Sequence, residues 1–133
     1  MRSRLWMLPR AVLRLTVLGL RLRWFGFGST ERWLIARRLI EPSEFGSADD
    51  AVRAADWVRA VERAARLSPR KPACLTRSLT LWSLLRDEAI SSRVCVGARQ
   101  VHSGLLAHAW VEYGGQVLND DLDIACRFPP LGS

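Results

Sequence analysis

The hydrophobic period of this chain changes once, near Arg93, and this change limits the possible folds more than any other feature. Before Arg93, apolar residues recur every three to four positions, as they do in helices with one buried face. After it they alternate with polar residues, as in half-buried strands. Helices that all precede the strands cannot alternate with them in βαβ units. The sequence therefore predicts an α+β fold in which N-terminal helices are followed by a small antiparallel sheet.

Four helices and three strands are expected from this pattern, with their ends marked by glycines, prolines and capping residues. The helices cover residues 4–25, about 30–39, about 47–66, and a stretch that begins near Pro72 and includes Cys74. The strands cover residues 93–98, 105–113 and 116–120, and are joined by turns at His102–Gly104 and Gly114–Gly115.

Positive charge is concentrated at the N-terminus. Residues 1–40 carry nine arginines and one acid, an excess of +8, whereas the other 93 residues carry eleven basic and twelve acidic side chains. Such segregation indicates a partner surface more than a fold. It fits a solvated helix face, a surface of Arg14, Arg21 and Arg23 that docks an acidic peptide or partner protein, or a surface for nucleic acid or membrane. No nucleic-acid-binding motif accompanies the charge, so nucleic acid is not expected as a partner.

The N-terminal segment has neither the composition of a membrane span nor that of a secretory signal. Its longest apolar run, residues 15–20, is far shorter than the ~20 residues that a spanning helix needs, and no small-residue cleavage site follows it. Three cysteines, an odd number, predict reduced thiols, and no Cys or His pair has zinc-ligand spacing. We therefore expect a cytoplasmic protein without membrane contact, metal or cofactor.

Cys74 and His108 are the residues most suited to nucleophilic chemistry. Cys74 lies at the start of its predicted helix, where free backbone N–H groups and the helix dipole favour a thiolate. The same N–H groups could hold the oxyanion that forms when a thiolate attacks a carbonyl. His108 lies inside a predicted strand, on one face with Trp110 and Glu112, and could act as the base that a nucleophilic cysteine requires.

An acid could orient His108 from the next strand, but spacing leaves its identity open. If Gly114–Gly115 is a strict two-residue turn, paired positions sum to 229 and Asp121 lies opposite His108. If the turn takes three residues, 113–115, the sum is 228 and Asp120 lies opposite. Either acid would complete a Cys-His-Asp triad.

Each of these residues also has an ordinary structural explanation. A cysteine on a helix usually fills the core, a histidine on a strand is usually structural, and an acid after a hairpin usually forms a turn. Cys95 alternates with apolar residues and is expected in the core. Cys126 lies in an irregular tail, and His102 lies in a polar turn.

The motifs around the candidate residues resemble one family. They are Cys74-Leu75, Arg77-Ser78-Leu79 and Leu81-Trp82, then Val96-Gly97-Ala98-Arg99, then Ala107-His108-Ala109-Trp110-Val111-Glu112 and Leu118-Asn119-Asp120. From about residue 48 to 120 the chain resembles the leader peptidases of lasso-peptide biosynthesis. These are the protease half of the split B protein and are transglutaminase-like cysteine proteases. The resemblance implies a transglutaminase-like, papain-like core over 47–133 after an arginine-rich helical region over 1–46.

The resemblance also implies residue roles, partners and a function. Cys74 would be the nucleophile, His108 the base and Asp120 the orienting acid. The protein would remove the leader of a lasso-peptide precursor with the help of a PqqD-like leader-recognition protein. The freed core N-terminus would then pass to an ATP-dependent macrolactam cyclase. The alternatives are a catalytically silent transglutaminase-like scaffold and an acyl transferase that uses the same triad with an amine acceptor.

Overall fold

The computed structural model describes residues 2–26, 48–69, 72–114, 116–120 and 124. Three helices precede a three-stranded antiparallel sheet, so the predicted α+β fold is confirmed. The helices are α1 (Arg2–Phe25), α2 (Ala48–Leu67) and α3 (Cys74–Asp87), and the strands are β1 (Arg93–Val101), β2 (Gly104–Tyr113) and β3 (Gln116–Val117). The helix predicted at about 30–39 lies outside the described residues.

Helix α3 lies between the other two helices and the sheet, and it contacts α1, α2, β1 and β2. Every residue from Ser78 to Leu85 is buried, whereas the apolar spacing of the sequence predicted a helix with only one buried face. A helix that is covered on all sides cannot carry long polar side chains facing outward in this stretch. Its polar residues here carry small hydroxyls, and two of them bond to their own helix: Thr80 donates to the Thr76 carbonyl at 2.7 Å, and Ser83 donates to the Thr80 carbonyl at 2.9 Å.

Helix α1 contributes to the same hydrophobic core as α2 and α3. Its inward face buries Met7, Ala11, Leu15 and Leu18. The guanidinium of Arg14 bonds to α3 at two points, donating to Ser83 Oγ at 2.9 Å and to Asp87 Oδ2 at 2.7 Å. The apolar contacts and these bonds both hold α1 against the helix that begins with Cys74.

The sheet is a meander in which β2 is central. Strands β1 and β2 pair from Arg93↔Glu112 to Val101↔Gly104, which leaves His102–Ser103 as a two-residue turn. Strands β2 and β3 pair at Glu112↔Val117 and Tyr113↔Gln116, so the second turn is also a two-residue turn, at 114–115. Gly114 has φ +59°, a conformation that such hairpin turns require and that glycine adopts without strain. Strand β3 ends at Val117, three residues earlier than predicted.

The two faces of β2 are buried against different parts of the molecule. Val111 packs with the helices, whereas Trp110 packs with Ile124, Cys95 and Val117 on the opposite face. His108 and Glu112 share the Trp110 face because side chains alternate along a strand. We call this face, with His108, Trp110 and Glu112, the outer face of the sheet.

Glu112 accepts two hydrogen bonds on the outer face. The buried indole of Trp110 donates to its Oε2 at 3.0 Å, and Arg93 donates to its Oε1 at 3.1 Å. The Trp110 bond and then Arg93 hold the pKa of Glu112 below its ordinary value, against the opposing effect of burial. The side chain of Arg93 is 71% exposed, so the Trp110 bond is the stronger restraint on the carboxylate.

We expect Glu112→Gln to lower the free energy of unfolding at pH 7 by roughly 1–2 kcal/mol, because the hydrogen bonds from Trp110 and Arg93 lose the negative charge that strengthens them. A carboxyl whose pKa is lowered in the folded state stabilises the protein above the unfolded pKa, ~4.3, and loses that contribution as pH falls through the folded value. The gap between wild type and variant in urea unfolding should therefore shrink between pH 7 and pH 3.5. Asp49→Asn, at a carboxylate that is 83% exposed, is the control and should have little effect at either pH. A gap of equal size at both pH values would contradict this account.

Candidate active site

Cys74 is the first residue of α3, and its thiol is free and partly exposed. The preceding residue, Ala73, is the N-cap; its backbone is extended and no side chain caps the helix. Pro72 therefore lies just before the helix. The sequence had predicted a helix that begins near Pro72, and the helix begins at Cys74 instead. Because no side chain competes for the N–H groups of the first turn, they can bind an anion formed beside the Cys74 sulfur.

His108 and Asp120 are in direct contact through His108 Nε2 and Asp120 Oδ2. Both side chains are about one-fifth exposed, at 23% and 22%, so a substrate can reach them while solvent is mostly excluded. A carboxylate only accepts hydrogen bonds, so this contact places the imidazole proton on Nε2 and leaves Nδ1 as the basic nitrogen. The pair has the arrangement of a general base and its orienting acid.

The register through which Asp120 reaches His108 differs from both predicted alternatives. Pairing follows the two-residue turn, with a sum of 229, and this pairing would place position 121 opposite His108. The ladder ends before that point, and side-chain alternation breaks between Leu118 and Asn119. Val117 packs on the outer face, and Leu118 packs with the helices. Asn119 also lies on the helix side, because it contacts α3, so Asp120 falls on the face of His108.

Asn119 joins the strand that carries His108 to the helix that carries Cys74. Its Oδ1 accepts the backbone N–H of Val111 at 2.8 Å, and its Nδ2 donates to Ser78 Oγ at 3.2 Å. Ser78 follows Cys74 by four residues and therefore lies on the same face of α3. A continuous path of contacts thus connects the Cys74 helix with the His108–Asp120 pair.

Trp110 supports His108 from the next position on the outer face. Their rings are stacked, with centroids 6.4 Å apart and planes 27° from parallel, and the indole is fully buried. The two-residue spacing in the sequence had placed both on one face, as observed. The sequence did not indicate Asn119 and Ser78 as structural links, although both lie in the motifs quoted above. Their only signal was their place beside Asp120 and one turn after Cys74.

The remaining candidates take no part in the contacts of this arrangement or lie outside the described residues. Cys95 is partly buried beneath the outer face, where burial raises the pKa of its thiol and so disfavours a thiolate at neutral pH. His102 is exposed in its turn. Asp121 and Cys126 are not among the residues that the structure describes. Within the described part of the chain, no group of His, Cys, Asp and Glu side chains could hold a metal ion.

The three arginines predicted to dock a partner have different environments. Arg14 is engaged with Ser83 and Asp87, the Arg21 guanidinium lies over the Phe25 ring at 5.1 Å from its centre, and Arg23 is exposed. Among the helices that the structure describes, none combines the length and apolar character needed to cross a membrane.

Comparison with known proteins gives a family for the chain. A model described as "Transglutaminase-like superfamily" matches residues 12–133, which include all but the first residues of α1 as well as the sheet and the candidate site. No curated protein and no solved structure matches the chain. This superfamily includes cysteine peptidases and acyltransferases, and its members usually act through Cys, His and Asp. The chain belongs to the transglutaminase-like superfamily.

Proposed function

We propose that this protein is a cysteine peptidase that removes the leader peptide from a lasso-peptide precursor. The observation that carries the proposal is the contact between His108 and Asp120, tethered through Asn119 and Ser78 to the helix that begins with Cys74. The family supports a cysteine-dependent acyl chemistry. The choice of a lasso-peptide precursor rests on the resemblance of the helix and hairpin motifs to the leader peptidases.

The proposed reaction follows from the groups present. The proposed mechanism requires the Cys74 thiol, at the start of α3, to meet His108. His108 then accepts the Cys74 proton at Nδ1, and the sulfur attacks the carbonyl carbon at the junction of leader and core. The backbone N–H groups at the start of α3 bind the oxyanion. The C–N bond then breaks, and the proton passes from His108 to the departing core amine. Water, deprotonated by His108, hydrolyses the thioester, which releases the leader as a carboxylic acid and restores the thiol.

The two alternatives differ from this proposal in what happens after the substrate binds. A silent scaffold would bind the leader and form no thioester, whereas an acyl transferase would pass the leader acyl group to an amine. Binding of a leader by a scaffold does not require a histidine, His108, that is oriented by a carboxylate, Asp120. Mass analysis of the leader distinguishes the other two, because hydrolysis gives a free acid and transfer gives an amide.

We also propose that α1 binds the PqqD-like leader-recognition protein in its leader-bound form. Besides its buried face, α1 presents an apolar stripe to solvent: the side chains of Trp6, Leu13, Leu20 and Trp24 are between 52% and 74% exposed. Their spacing of seven, seven and four residues places them on one side of the helix. Large exposed apolar side chains that are aligned on one side of a helix favour a protein interface over a purely solvated face. We call Trp6, Leu13, Leu20 and Trp24 the α1 stripe.

The arginines near the α1 stripe add charge that suits an acidic peptide or partner. Arg23 is exposed and available for this role. Arg14 already holds α1 to Asp87, so reversing its charge would disturb the fold as well as any interface. The stripe and Arg23 are therefore better probes of docking than the original set of three arginines. The macrolactam cyclase would act on the product, and the proposal requires no contact with it.

The first prediction concerns the nucleophile. Cys74→Ala should abolish cleavage of the precursor in the presence of the leader-recognition protein, because no other thiol lies at the start of α3. Cys95→Ala is the matched control and should keep a cleavage rate close to that of wild type. Both rates are measured by mass spectrometry of the released leader, with circular dichroism to check the fold. Cleavage by folded Cys74→Ala at the wild-type rate would end the cysteine-peptidase proposal.

The second prediction concerns docking. The double variant Leu13→Asp, Leu20→Asp should weaken binding of the leader-loaded recognition protein at least tenfold and raise the apparent KM while kcat at saturation is retained. Arg23→Glu should weaken binding mainly at low salt, since exposed charges are screened over ~8 Å at physiological ionic strength. Val52→Asp, at a residue that is 56% exposed on α2, is the control.

Calorimetry at two salt concentrations measures these affinities. If the double variant binds as tightly as the Val52→Asp control, the α1 stripe is not the docking surface.

A further inference from the structure

We propose that Asn119 is the positioning residue that selects Asp120 as the partner of His108. Its side chain ends the β2–β3 ladder, because it takes the place of the Leu118 carbonyl in the pair that would come next. This inference deepens the proposed function and rests on it. It assigns to Asn119 a role that neither the sequence motifs nor the family match provides.

The hydrogen bonds around Val111 show how the ladder ends. If the observed register continued by one step, Val111 and Leu118 would form a pair of the hydrogen-bonded kind, in which each residue donates to and accepts from the other. The first bond is present, because the Leu118 N–H donates to the Val111 carbonyl at 2.9 Å. The second is replaced: the Val111 N–H donates to the side-chain Oδ1 of Asn119 at 2.8 Å. The side-chain amide thus takes the place of the Leu118 carbonyl.

This replacement changes which side chain faces His108. With regular pairing, Asn119 would lie opposite Trp110 on the outer face, and Asp120 would lie opposite Ala109 on the helix side. Instead Asn119 lies on the helix side, where its Nδ2 donates to the buried Ser78 hydroxyl at 3.2 Å. Asp120 is thereby shifted to the outer face and contacts His108.

The chemistry of asparagine suits this role better than that of its close analogues. The amide supplies an acceptor for a backbone N–H and a donor for a hydroxyl at the same time. An aspartate could accept from Val111 but could not donate to Ser78 when ionised, and it would add a second charge beside Asp120. An alanine would leave the Val111 N–H in need of an acceptor, and the Leu118 carbonyl is the one that regular pairing provides.

The test compares Asn119→Ala with Thr80→Val in the full chain. Thr80→Val removes the buried hydrogen bond from Thr80 to the Thr76 carbonyl in α3, the helix that carries Ser78. It leaves Asn119 unchanged and therefore controls for lost stability. Two quantities are measured for each variant: kcat and KM for precursor cleavage, and the rate at which iodoacetamide alkylates Cys74 at pH 6.5 relative to pH 9. Peptide mass mapping assigns the alkylation to Cys74. Asp120→Asn gives the reference for an unoriented histidine, and Asp121→Asn controls for loss of a neighbouring carboxylate.

We expect Asn119→Ala to lower kcat by about 10- to 100-fold with KM changed less than twofold, short of the ~10⁴-fold loss typical of a replaced triad acid. Its alkylation ratio should fall about tenfold, toward that of Asp120→Asn, because an unoriented imidazole no longer stabilises the thiolate at low pH. Thr80→Val and Asp121→Asn should keep both quantities near wild type. If folded Asn119→Ala matches Thr80→Val in both quantities, the inference is overturned.

The alkylation ratio separates this inference from the proposed function. If wild type fails to cleave the precursor, the proposed function fails, yet the ratio still reports whether Asn119 organises His108 and Asp120 around Cys74. A lowered ratio in Asn119→Ala would then support the positioning role, and an unchanged ratio would exclude it.

Discussion

The burial of α3 between two helices and a sheet is the constraint on which the rest of the structure depends. Because every residue from Ser78 to Leu85 is enclosed, the helix cannot tilt or slide without disturbing all of its neighbours. Cys74 is the first residue of this helix and precedes the enclosed stretch. The rigid middle of α3 therefore fixes the position of the partly exposed thiol at its start. A nucleophile placed on packed secondary structure is held more precisely than one on a loop.

The polar contacts near the site extend this rigidity into the sheet. Ser78 is fully buried, and its hydroxyl would be costly to leave without a partner. Asn119 satisfies it and at the same time satisfies the Val111 N–H. The His108–Asp120 pair next to this link is thus oriented by bonds that the fold needs for its own stability. Trp110 restrains His108 from the other direction and is itself held by Glu112, so the histidine is restrained along the strand as well as across it.

Helix α1 has a structural part and a separate, outward-facing part. Its inward residues belong to the shared core, and Arg14 ties it to the C-terminal end of α3 through Asp87. The family match begins within this helix, at residue 12, which agrees with its packing against α2 and α3. Arg14 is one of the arginines that indicated a partner surface, and its charge is therefore paired within the fold. The exposed α1 stripe is not used in this packing, and it is the part to which we assign the proposed docking.

The order of helices and strands could be predicted from the sequence because hydrophobic period is a local property. The single change near Arg93, and the shared face of His108 and Trp110, followed from spacing alone. The burial of α3 on all sides could not be predicted, because it depends on what α1 and the sheet cover. Turn length was also a poor guide to the acid: regular pairing pointed to Asp121, and the pairing ends where the Asn119 side chain replaces a backbone carbonyl. Spacing cannot reveal such a replacement, because it depends on a hydroxyl 41 residues away in sequence, on Ser78.

The most direct test of the account is to identify the residue that attacks the leader–core junction. A leader peptide with a C-terminal chloromethyl ketone, incubated with the protein and its leader-recognition partner, alkylates the nucleophile that lies at the scissile position. Peptide mapping by mass spectrometry then locates the label. The account predicts one label per chain, on Cys74, formed much faster with the partner than without it and abolished by prior alkylation of Cys74. A label on Cys95 or Cys126, or continued precursor cleavage by protein that is fully labelled at Cys74, would contradict it.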